Sequence, residues 1–148
     1  MLKLSKLIEE MDMQTEEYMA VVNIKTSEII FIDLEDVRSL EDMEEDELSK
    51  EQIKLLDIYY SDGYIRIPSG YDIHEYNMMR DFVFSIDNDM INQRLSNSIS
   101  GRGAFRRFKD TAIQLGVIDE WYKFKDNAYK EIADEFCKEN NLEYVDDM

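Results

Sequence analysis

The chain has 148 residues, with 34 Asp and Glu against 17 Lys and Arg, and 44% of its residues are hydrophobic. That composition supports a packed core in a single domain covering residues 1–148. The net charge of −17 argues against generic DNA or anionic-membrane binding, because the summed field repels phosphate. One cysteine excludes an internal disulfide framework. The N-terminus lacks the continuous apolar core of a signal peptide and the apolar runs are too short to span a bilayer, so the expected compartment is the cytoplasm.

Leu4, Leu7, Ile8 and Met11 recur at helical spacing and predict a short opening helix. Tyr18, Ala20, Val22 and Ile24 then alternate with Met19, Val21 and Asn23, which is a strand pattern. KTSE (25–28) reads as a polar turn and IIFI (29–32) as the second strand of a hairpin, with no glycine to define the turn type. From Asp33 to Glu51 ten carboxylates face only Arg38 and Lys50, which reads as a solvated loop leading into a helix. It lacks the mid-loop glycine and the ligand spacing of a calcium loop.

Ile53, Leu56 and Tyr60 mark one stripe of the next helix, stopped near Gly63. YIRIP (64–68) is extended, since the residue before proline is pushed out of the helical region, and it could add an edge strand to the hairpin. Asp72 and Glu75 resemble a capping box before a stripe of Ile73, Tyr76, Met79, Val83 and Ile86. A break at DND (87–89) precedes a helix carrying Ile91, Leu95 and Ile99. After Gly101 a helix should run to about Leu115, with Phe105, Phe108, Ala112 and Leu115 inward and Gly116 closing it. Asp119 can cap the last helix, whose stripe is Trp121, Phe124, Ala128, Ile132 and Phe136. Phe105, Phe108, Trp121 and Phe124 are expected to form an aromatic core. The fold class is α+β: a small antiparallel hairpin or sheet near the N-terminus, packed with four to six helices, the second half all helical.

One stretch breaks the acidic background. SGRGAFRRFKD (100–110) holds Arg102, Arg106, Arg107 and Lys109; with these four cations set aside, the rest of the chain carries −21. Arg102, Arg106 and Lys109 fall within about 60° of a helical wheel, and Arg107 lies apart. Gly101 and Gly103 at the helix start permit close backbone approach, and free N–H groups there favour an anion. Arginines at a helix N-terminus oppose its dipole, so something negative should compensate. Two readings stand: ion pairs with the chain's own carboxylates, or an external acidic or phosphorylated partner. DNA reading is disfavoured, because the helix after the LGVID turn carries Asp119, Glu120, Asp126 and Glu131.

GRGAFRRFKD, followed by WYKF (121–124) and preceded by YIRIPS (64–69), resembles a bacterial family known only as uncharacterised protein family 0158. The resemblance extends from the hairpin to the final helix, and it implies no reaction, ligand or catalytic residue.

No other motif carries chemistry. His74 is the single histidine and has no ligand spacing to Cys137, so neither a metal site nor a cofactor is expected. Cys137 reads as a small core residue. No phosphate loop, nucleotide fingerprint or nucleophile elbow occurs, and no catalytic residue is assigned. Tyr59, Tyr60, Tyr64, Tyr71 and Tyr76 cluster in sequence and read as half-buried packing or as a partner surface. The sequence therefore points to a non-catalytic binding or regulatory module acting through the basic box on an acidic protein or a phosphorylated ligand. The alternatives are an acidic decoy for the basic surface of a nucleic-acid-binding protein, or an enzyme whose site is assembled only in the fold.

Overall fold

The structure is a computed structural model that describes the backbone of residues 1–148 and every side chain except those of Tyr71 and Asp72. The chain groups into two compact units, Met1–Asp72 with Ile132–Met148, and Ile73–Glu131.

The first unit begins with β1 (Leu2–Lys3) and α1 (Leu4–Met13), which buries Leu4, Leu7 and Met11 as its periodicity predicts. Glu10 is buried on the same helix and is neutralised by Lys6 one turn earlier, at 2.9 Å. β2 (Tyr18–Asn23) and β3 (Ile29–Asp33) form the expected antiparallel hairpin. Its turn manages without glycine: the Asn23 side-chain oxygen accepts from the N–H groups of Lys25 and Thr26, and Ser27 takes the left-handed conformation. Asp33 then accepts from the Glu35 N–H and caps α2 (Leu34–Glu41). Here the structure corrects the sequence reading of a loop. Glu35 and Asp36 sit at the positive end of α2, Arg38 near its negative end, and Val37 and Leu40 are buried. The acids are helix-compatible because of where they fall.

A 3₁₀ turn at Glu45–Glu47 leads to α3 (Lys50–Tyr60), started by a reciprocal capping box between Ser49 and Gln52. Its packed side is Leu55, Leu56, Ile58 and Tyr59, which cover the core of Met19, Val21, Ile32 and Val37. Tyr60, expected on the inner stripe, is exposed. β4 (Tyr64–Arg66) pairs with β2, so the sheet order is β3-β2-β4 and β2 is central. β2 buries both faces, with Met19 through Val22 all inside, and Met19 and Val21 lie in the cluster that α3 covers. Gln14 ties β2 to the segment after β4: its amide nitrogen donates to the Ile67 and Pro68 carbonyls, and its oxygen accepts from the Ala20 N–H. α4 (Gly70–Ile73) follows, and its last residue already belongs to the second unit.

The second unit is helical. α5 (Glu75–Ser85) begins after His74, whose backbone is left-handed, and it buries Met78, Met79, Phe82 and Val83. The cap thus falls at His74 and not at Asp72, whose side chain lies outside the described ones. α6 (Asp89–Ser98) is capped by Asn88, which accepts from the Ile91 N–H at the expected break. α7 (Ala104–Gln114) buries Ala104, Phe108 and Ala112. It closes in a Schellman motif, with Val117 N–H donating to the Ala112 carbonyl and Gly116 N–H to that of Ile113. α8 (Ile118–Glu139) starts one residue before Asp119, which lies in the first turn and is not the cap. The rings of Phe108 and Trp121 meet edge to face at 5.0 Å, and Phe82 of α5 contacts both as well as Phe124. Phe82 takes the place expected for Phe105, which is 46% exposed. The reason is angular: Ala104, Phe108 and Ala112 define the inward line of α7, and Phe105 lies about 60° off it.

The end of α8 returns to the first unit, where Ala133, Phe136 and Cys137 are buried. β5 (Tyr144–Val145) pairs parallel with β1, and Ser5 donates through its N–H and hydroxyl to the Asp147 carboxylate. Those two bonds favour the charged form and hold the Asp147 carboxyl below its ordinary range.

Candidate functional site

The basic box spans the loop between α6 and the start of α7. Gly101 (φ 79°) and Gly103 (φ 73°) are both left-handed. A Cβ at Gly101 would meet nothing within 4 Å, so glycine is required there by backbone conformation and not by space. These two residues curl the chain from the end of α6 into α7 and set Arg102 on the outside between them.

Arg107 finds its negative partner in a way neither sequence reading foresaw. From the first turns of α7 its guanidinium reaches back to the C-terminal end of α6. Nε donates to the Ser98 carbonyl at 3.1 Å, Nη1 to the Arg102 carbonyl at 2.5 Å, and Nη2 to the Ser100 carbonyl. The carbonyls at a helix C-terminus carry partial negative charge and lack partners, so a planar cation with several donors fits them. The hydroxyl of Tyr76 on α5 donates to the next carbonyl, that of Ile99, at 3.1 Å. Tyr76 was expected on the buried stripe; it is 41% exposed, lying over the loop with its hydroxyl engaged. The negative partner of Arg107 is therefore backbone, and its role is to fold the loop.

Arg102, Arg106 and Lys109 behave differently. All three are exposed, and among the described residues none forms an ion pair or side-chain hydrogen bond. The pair that four-residue spacing suggests, Arg106 with Asp110, does not form. The first intrahelical bond of α7 runs from Arg107 N–H to Gly103 O at 3.0 Å, which leaves the N–H groups of Ala104, Phe105 and Arg106 outside the helical ladder. Three cations and a helix N-terminus thus share one solvent-facing side. Phe105 and Ile113 add apolar surface to the same outer side, Ile113 being 59% exposed.

The other sequence candidates are not brought to this site. Cys137 lies buried in the other unit, and burial together with the Asp134 charge pushes its thiol up to about 11. A thiol held neutral at physiological pH is a poor nucleophile. His74 is exposed at the α4–α5 junction. Among the described residues no three His, Cys, Asp or Glu side chains are grouped to hold a metal ion, and no helix is long and apolar enough to cross a membrane. Of the described tyrosines in the cluster, Tyr59 and Tyr64 pack on the sheet core, whereas Tyr60 donates to Glu41 at 3.1 Å. The chain matches no family model, no curated protein and no solved structure.

Proposed function

We propose that this protein is a non-catalytic binding module that presents Arg102, Arg106 and Lys109, with the N-terminus of α7, to an acidic or phosphorylated segment of a partner. The observation that carries this reading is that these three cations have no partner among the described residues, although the chain holds 34 carboxylates. Arg107 supports it by fixing the loop that displays Arg102. A guanidinium offers paired donors to carboxylate or phosphate, and unpaired helix N–H groups add further donors without a competing internal acceptor. We also propose membership of uncharacterised protein family 0158, on GRGAFRRFKD together with WYKF and YIRIPS; it adds no activity.

The test is a titration of the full chain with a phosphoserine-containing acidic peptide, comparing the native chain with the double variant Arg102→Ala/Arg106→Ala. The expected result is binding that weakens with salt and is lost in the variant, while thermal stability is unchanged. Equal binding by both chains would overturn the reading. A second reading, the acidic decoy, is favoured by the unbroken exposure of residues 41–47, six of them acidic. It predicts capture of a basic protein that the arginine variants leave intact and that neutralising those acids abolishes.

A further inference from the structure

The first unit contains a cavity whose wall includes Glu41 and Glu45 of the decoy's acidic run but whose apolar lining neither reading uses. It lies between the end of α2, the following turn and one face of α3, and measures about 460 Å³. That is within the size range of pockets that hold side chains or small ligands, roughly 300–1,000 Å³. Its apolar lining comes from Leu40, Leu48, Ile53 and Leu56, with the exposed Met43 and Tyr60 beside them. Every charged residue in its wall is acidic: Glu41, Glu45 and Asp57. A second cavity shares Leu40 and adds Asp36 and Glu51, again with no cation in its wall. The Tyr60 hydroxyl donates to Glu41 and holds that carboxylate at the cavity wall.

Each part of this arrangement narrows the occupant. The carboxylates repel nucleic acid and acidic peptides. The cavity's carboxylates are not grouped closely enough among the described residues to hold a metal ion, which disfavours a bare cation. A purely basic surface would satisfy the carboxylates and leave the apolar lining wet. The combination suits Lys and Arg, whose stems lie on apolar surface while their charges reach out, next to an apolar anchor.

We propose that this cavity is a docking site for a basic segment of a partner protein that inserts one large apolar side chain between flanking Lys or Arg residues. The occupant differs from the decoy's target because it requires the apolar anchor, and its site is remote in sequence from the basic box.

The experiment uses the isotope-labelled full chain and two synthetic heptapeptides. One has a central Phe between two Lys-Arg-Lys triplets; the other has Ser in place of Phe. The expected result is that amide resonances of Leu40, Leu48, Leu56 and Tyr60 shift with the Phe peptide, which binds at least about tenfold more tightly than the Ser peptide. Glu41→Gln/Glu45→Gln should weaken binding and flatten its salt dependence, and Arg102→Ala/Arg106→Ala should leave it unchanged. Tyr60→Ala, at an exposed position, should weaken it without unfolding the chain. Equal affinity for the two peptides, or shifts spread over the chain's other acidic residues and absent from the cavity, would overturn the proposal.

Discussion

Replacing Arg107 by alanine removes the side chain that closes the α6–α7 loop, and the cost follows from its three hydrogen bonds. A bond from a charged donor is worth roughly 1.5–3 kcal/mol when it is shielded from water. Only the bond to the carbonyl of Ser98, a buried residue, approaches that condition. The Ser100 and Arg102 carbonyls are exposed, so water replaces most of what they lose. We therefore expect a loss of about 2 kcal/mol, or a melting temperature lower by roughly 4–8 °C. Arg106→Ala should change stability by less than about 0.5 kcal/mol, because Arg106 is exposed and unpaired. Arg107→Lys should recover only part of the loss, since an ammonium group cannot span three carbonyls. Urea unfolding followed by the fluorescence of Trp121, the single tryptophan and a buried residue of the same unit, reads all three variants. If Arg107→Ala proves neutral, or Arg106→Ala falls as far, the division of the box into a structural and a displayed part is wrong.

Phe108→Ala, at a side chain with no exposure between the rings of Phe82 and Trp121, should cost about 3–5 kcal/mol, and Phe105→Ala less than about 1 kcal/mol. Similar losses in the two urea titrations would contradict the packing described for α7. With its thiol near 11, Cys137 should be about one part in a thousand ionised at pH 8, against about a quarter for a free thiol. Alkylation by iodoacetamide should accordingly be slow in the native chain and fast after unfolding. Because the folded state raises this value, the group's contribution to stability is full below the free-thiol value near 8.5 and is lost as pH rises toward 11. A titration of stability between pH 8 and 10 that rises would refute the assignment. Duplex DNA should not be retained at physiological salt, since the chain's net charge is −17 even with the box's cations counted; a salt-sensitive gel shift would contradict this.

Local signals carried much of the architecture. The spacing of Leu4, Leu7 and Met11, the alternation through β2, the break at Asn88 and the closure at Gly116 each depend on a few neighbouring residues, and each element formed where its pattern lies. α2 was legible too, in Asp33 before Leu34, Val37 and Leu40, but the density of acids masked its apolar spacing. The pairing of β1 with β5 had no such signal. Two residues at each end of the chain carry no periodicity, and their register is set by partners more than 140 positions away.

The candidate site divides in the same way. Composition and helical spacing alone identified the four cations, placed Arg102, Arg106 and Lys109 on one arc, and separated Arg107 from them. Which of them finds a partner within the chain was decided by tertiary structure. Arg107 finds acceptors because the left-handed turn through Gly101 and Gly103 brings the end of α6 within reach, and a backbone carbonyl has no signature in a residue code. Phe105 lost its expected place to Phe82 for a related reason: an inward position on a wheel is a range of angles, and the neighbouring helix selects among them. Helical periodicity records which side chains share a side of one element, whereas a contact depends on the geometry of two.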